Sequence, residues 1–251
     1  MNPAMYVDDL TISGSGSTNG GRFNNVNISG SCKINGDIEA NAIKISGSAT
    51  MSGNVKSGRY IVNGFGSVRG NLEGGIVRNN GRLKVVGESR AMEFTNSGSS
   101  LVRGHLKAER IRSVGRLVVG GGVETEEFDS YGSLKVGGLL NGHRIKIKIK
   151  GMCFTKELGG EEIQVSFSDS NIFGLFGNLL VKPVLRLFKR GYNQLTAELI
   201  EGTTISLEHT NAKTVRGDKV TIGPKCKIEL VEYKESITIH PKAIVKQHLK
   251  V

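Results

Sequence analysis

Seven glycines, Gly30, Gly47, Gly64, Gly81, Gly98, Gly115 and Gly132, stand 17 residues apart without a miss. A second series, Gly36, Gly53, Gly70, Gly87, Gly104, Gly121 and Gly138, follows six residues later at the same step. Between them Ile34, Met51, Val68, Val85, Val102, Val119 and Val136 form an all-apolar column. Another column opens each unit: Val26, Ile43, Tyr60, Val77, Phe94, Ile111, Phe128 and Ile145. A third, Ile38, Val55, Leu72, Ser89, Leu106, Val123 and Leu140, has one polar member. An earlier unit, LTISGSGSTNGG, joins with a step of 16 from Gly14 to Gly30. Self-similarity at a fixed step is the signature of a repeat architecture.

Within a unit, apolar or small residues fall at alternate positions, as in Val26, Ile28, Cys32, Ile34, Ile38 and Ala40. That period belongs to short strands with one buried face. Each glycine is expected where the chain bends or needs a positive φ, so the two series read as repeat corners. One unit has room for about three short strands, too little for a helix and a crossover. The fold class is therefore all-β, a single-chain β-solenoid (β-helix) of about 17 residues per coil. Coils stacked about 4.8 Å apart place equivalent residues on one another, so each column holds one residue class. A disordered Gly/Ser tract predicts no such columns. Cys32 shares its column with Ala49, Gly66, Leu83, Ser100, Leu117 and Leu134, which makes it a small core residue rather than a nucleophile.

The ladder breaks after IKIKIK, at Lys150. A mixed stretch leads to NIFGLFGNLLVKPVLRLFKRG. On a helix, Lys182, Arg186, Lys189 and Arg190 share one face, and Phe173, Phe176, Leu180, Val184 and Leu187 the other. No acidic residue occurs between Asn171 and Arg190. Three readings follow: a basic amphipathic helix at an anionic membrane surface, a helix covering the solenoid's side or end, or a helix that binds a protein partner. Pro183 would kink it. From Thr196 the rhythm returns, with Val220–Ile222 and Ile237–Ile239 again 17 apart. The expected organisation is a β-solenoid over 7–150, a partly helical insertion over 151–195 and further coils over 196–248.

Composition bears on function mainly by exclusion. No apolar run approaches the roughly 20 residues of a membrane span, and MNPAMYVDDL has no signal-peptide pattern. Three isolated cysteines, Cys32, Cys153 and Cys226, read as reduced thiols of a cytoplasmic protein. No phosphate-binding loop, HExxH, GxSxG or clustered metal ligands occur, and the five histidines are dispersed. Glu124, Glu126 and Glu127 read as a solvated turn. No enzyme, cofactor or metal site is expected. The net charge of +11, from 34 basic and 23 acidic residues, suits an acidic partner or a solvated basic surface. The lack of interleaved aromatics argues against a nucleic-acid stacking surface, and no nucleic-acid partner is expected.

The units VNISGSCKINGDIEANA, IKISGSATMSGNVKSGR and FDSYGSLKVGGLLNGHR resemble the bactofilins, bacterial polymer-forming cytoskeletal proteins with a β-helical core. The likeness covers most of residues 10–150 and, more loosely, 196–245. It implies a cytoplasmic protein, peripheral at the inner face of the cell membrane, that self-assembles end to end without nucleotide. It further implies a scaffold for membrane or envelope proteins in cell shape or flagellar assembly, one Gram-positive branch being associated with motility. The chain departs from the family in its insertion and returning coils, and MNPAMYV is a poor version of the family's N-terminal apolar patch. Membrane contact would then fall on Ile172–Arg190. The alternative is a solenoid adaptor that does not polymerise and binds a protein partner along one flat face.

Overall fold

The computed structural model describes residues 8–167 and 193–251. Its strands are β1 (Leu10–Ile12), β2 (Ser15–Ile28), β3 (Ser31–Ile45), β4 (Ser48–Met51), β5 (Val55–Val62) and β6 (Phe65–Val68). There follow β7 (Leu72–Asn79), β8 (Arg82–Val85), β9 (Ser89–Asn96), β10 (Ser99–Val102), β11 (Leu106–Ser113) and β12 (Arg116–Val119). The chain then runs through β13 (Val123–Phe167), β14 (Gln194–Leu207), β15 (Thr210–Ile222), β16 (Lys227–Ile239) and β17 (Ile244–Lys250). Every inter-strand pairing is parallel, and each strand pairs with the strand one coil away. The fold is a β-solenoid of about 13 turns.

The coil from Ser48 to Gly64 shows how the sequence makes a turn. Ala49 and Met51 of β4 point inward and are fully buried. The chain bends at Ser52–Gly53. In β5, Val55, Ser57, Tyr60 and Val62 are buried, whereas Gly58 and Arg59 are both exposed. Two outward residues in a row break the period of two, so the strand turns there, and its pairing with β7 skips Gly58. Each coil thus has three faces: the short strand, the first half of the long strand and its second half. We call them the first, second and third face.

The three apolar columns are the interior. Ile34, Met51, Val68, Val85, Val102, Val119 and Val136 are at most 1% exposed, as are the eight residues from Val26 to Ile145. Each such side chain contributes about 1.5–3 kcal/mol relative to leaving it in water.

The glycines mark corners, but backbone conformation explains few of them. Of the fourteen, only Gly36 and Gly132 have positive φ, 90° and 153°. In the series from Gly30 to Gly132 the cause is approach. A Cβ at Gly47, Gly64, Gly81, Gly98 or Gly115 would sit inside the carbonyl oxygen of the glycine one coil earlier. That same oxygen accepts the next coil's first strand hydrogen bond, as in Ser48 N–H to Gly30 O at 2.9 Å and Arg82 N–H to Gly64 O at 2.8 Å. A side chain here would hold the coils apart.

The strand order continues past Lys150. β13 carries the solenoid to Phe167, so the described part of residues 151–167 is coil rather than insertion. Met152 pairs with Gln194, 42 positions on; 25 of these are residues 168–192, leaving the 17 of an ordinary coil. The strands either side therefore keep register as though those residues were absent. Ile172–Arg190, with its amphipathic pattern, lies outside the described residues. Later coils vary: Leu195 pairs with Thr210, Asn211 with Lys227 and Lys227 with Ile244.

Candidate functional site

A solenoid surface is a set of outward columns, and the second face carries a ladder of charge. Registered residues run Arg22, Glu39, Lys56, Glu73, Arg90, Lys107 and Glu124, alternating in sign except at Arg90 and Lys107. Arg22 bonds Glu39 at 3.0 Å, Lys56 meets Glu73 at 3.6 Å and Lys107 pairs with Glu124. At the corner beyond, Arg144 lies between Glu127 at 3.5 Å and Glu162 at 3.6 Å. Arg216 likewise lies between Glu201 and Glu232, and the Glu232 hydrogen bond and charge push its pKa up. Among the described residues, every ion pair but Arg90–Glu88 joins neighbouring coils. Exposed pairs are each worth at most about 1 kcal/mol. Their larger effect is on register, since a coil slipped by one residue would leave these charges without partners and turn core residues outward.

Amide side chains add two further ladders. At the corner between first and second faces, Asp37 Oδ1 accepts the Asn54 N–H at 2.7 Å. Asn54 Oδ1 accepts from Asn71 N–H, and Asn71 Oδ1 from Glu88 N–H, each at 2.9 Å. Inside, Asn79 and Asn96 interrupt the apolar column of Ile45 and Val62 and are fully buried. Asn79 Nδ2 donates to Asn96 Oδ1 at 2.9 Å and Asn96 Nδ2 to Ser113 Oγ at 3.0 Å. Each amide also reaches a backbone carbonyl, Ser99 O or Arg116 O, at 3.0 Å. Ser57, Ser89 and Ser130 have buried hydroxyls with no partner among the described residues.

At its C-terminal side the described solenoid is open. β17 pairs with β16 alone, leaving one edge of N–H and C=O groups unpaired by strand. Burial fades over the same stretch: Ile244 is 58% exposed, Leu249 43% and Val251 65%. At the other side β1 pairs only with β2.

Among the described residues the cysteines and histidines stand apart from one another. All three cysteines are buried thiols. Burial pushes Cys153 and Cys226 up to about 11 and raises Cys32. The histidines are scattered: His105 accepts from Gly122 N–H, His143 meets Glu161, His209 stacks on Phe167, His240 accepts from Lys242 N–H and His248 lies beside Tyr233. Among the described residues no three His, Cys, Asp or Glu side chains form a metal-binding group, and no helix is long and apolar enough to cross a membrane. A concavity of about 1140 Å³ is an open groove along the second face with Gly58, Gly75 and Met92 in its lining. Its charged residues are Asp8 and the paired Arg22, Glu39, Lys56 and Glu73. Glu124 and Glu127 belong to the charge ladder, each with its cation.

The structure brings the repeat glycines and core column together as stacks. The membrane or packing residues Phe173, Phe176, Leu180, Lys182, Val184, Arg186, Leu187, Lys189 and Arg190 lie outside the described residues. The polar ladders went unread in the sequence. The signal was present, since Arg22/Glu39, Lys56/Glu73 and Asn54/Asn71 all stand one repeat apart; applying the 17-residue step to polar residues would have found them.

No protein-family model matches the chain, and no solved structure does. Two uncharacterized proteins of Bacillus subtilis (strain 168) are similar over 114 residues: YhbE at 41% identity and YhbF at 32%. The match covers 45% of this chain, and the chain spans 43% of YhbE and 42% of YhbF.

Proposed function

We propose that the protein is a structural element that self-assembles through the ends of its β-solenoid, without nucleotide, and scaffolds membrane-proximal proteins. The observation that carries this reading is the open edge of β17, flanked by the exposed Ile244, Leu249 and Val251. An uncovered parallel edge is a template for another strand. A second copy offering the first half of β2, which pairs with β3 on one side only, would continue the same ladder, and a head-to-tail contact that does not close makes a filament. The resemblance of the 17-residue units to bactofilins points the same way. A non-polymerising adaptor is the second reading, and the groove along Gly58 and Gly75 favours it, being long enough for an extended segment.

Electron microscopy of the purified chain without nucleotide separates the two. Assembly predicts filaments or sheets that vanish when Ile244→Glu and Leu249→Glu place charge at the edge. Monodisperse particles across salt conditions would sink it.

A further inference from the structure

We infer that one side of the solenoid is a binding surface for the phosphate backbone of duplex nucleic acid. Six arginines carry it: Arg69, Arg78 and Arg82, and the same trio two coils on, Arg103, Arg112 and Arg116. Arg82 and Arg116 stand in the first face's outward column, Arg78 and Arg112 in the third's, and Arg69 and Arg103 close β6 and β10. All six are exposed. None forms an ion pair or side-chain hydrogen bond among the described residues, whereas the second face holds its cations in pairs.

Three registered columns make up this side: Lys33 to Lys135, Ser31 to Ser133 and Lys44 to Asp129. They hold eight basic residues and a single acid, Asp129. These columns carry a balance of +7, eight basic residues against one acid, in a chain of net charge +11, and it lies in a stripe along the axis. From Lys33 to Lys135 that stripe is about 29 Å long, and the trios are about 10 Å apart.

Guanidinium forks match phosphate oxygens in pairs. Ser48, Ser99, Ser133 and Thr50, interleaved with the arginines, are the hydroxyl donors that accompany such contacts. The stripe is linear; Ile61, Phe65, Leu101 and Val118 within its columns are only partly exposed and Val114 beside it is strongly so, which leaves it without the continuous apolar face of a bilayer-bound element. Phe65, half-buried beside Arg82, is the one aromatic in these columns, too little for the stacking platforms that single strands need; a duplex asks only for phosphate contacts.

Fluorescence anisotropy of the full chain with a mixed-sequence duplex of about 30 base pairs, over roughly 50–200 mM salt, tests this. Binding is expected to weaken steeply with salt. The triple variant R103A/R112A/R116A should lose at least about 10-fold in affinity and flatten the log–log salt slope by about 2 to 3. R69A/R78A/R82A should do the same, and circular dichroism checks that both fold. The control K56A/R90A/K107A removes equal charge from the second face and should stay within about threefold. Equal weakening by control and arginine variants would overturn the proposal, as would no duplex binding at the lowest salt. Capture by phosphatidylglycerol vesicles that depends on the arginines, without duplex binding, would also overturn it and assign the stripe to a membrane. Self-assembly is read separately by microscopy, so either proposal can fail alone.

Discussion

A glycine usually earns its place through backbone freedom, but here most of the fourteen serve contact between coils. Gly81 shows the distinction: its φ is ordinary, yet a Cβ would collide with Gly64 O. Overpacking of this kind costs about 1–3 kcal/mol, and the Gly81→Ala variant should lose that much in chemical denaturation. Gly16 has nothing within 4 Å of a Cβ and no positive φ. There the Gly16→Ala variant should be neutral or gain up to about 1 kcal/mol through the unfolded chain. The thiols give a second test at this scale. Below the ordinary pKa of 9.0, Cys153 and Cys226 are protonated in both states and contribute no pH dependence. Between 9.0 and about 11 the unfolded chain loses those protons while the folded one keeps them, so stability should fall over that window. Denaturation midpoints at pH 8 and pH 10.5 check the sign. A thiol reagent near neutral pH should find all three cysteines only after unfolding.

At the scale of the strand, the telling element is β13. Because Met152 meets Gln194 in the register of an ordinary coil, a chain lacking residues 168–192 is expected to fold. It should retain its β circular dichroism and one cooperative transition; loss of both would show that the segment is needed for the coils. The same variant tests the membrane reading of Ile172–Arg190, which predicts that binding to anionic vesicles disappears with it. This is also where the sequence was hardest to read. The glycine and Ile34–Val136 columns were legible because near-identical coils repeat them. The coil after Lys150 was not, because a continuous strand replaces the glycine corners and steps such as Thr210 to its partner Leu195 depart from 17. Asn79 and Asn96 hid for a related reason: their buried position follows from the column of Ile45 and Val62, while their residue type suggests surface. The hydrogen bond between them and those to Ser113 and the backbone carbonyls reconcile the two.

For the whole molecule, the sorting of charge matters more than its sum. Net charge told of a basic protein; only the registered faces show that the second is neutralised pair by pair while the first and third keep Arg78, Arg82, Arg112 and Arg116 free. Stability and attraction are thus assigned to different sides, and raising salt should weaken partner binding far more than folding. The fold also tolerates addition. A corner that takes in 25 residues between Phe167 and Asn193 without disturbing the ladder behaves as a socket. The next turn has the same corner at Glu208–His209, without the tight glycine contacts that close it from Gly47 to Gly115, so a foreign peptide grafted there would be displayed about 4.8 Å from the natural segment along a rigid rod. If the rods join end to end, the display would continue down the filament.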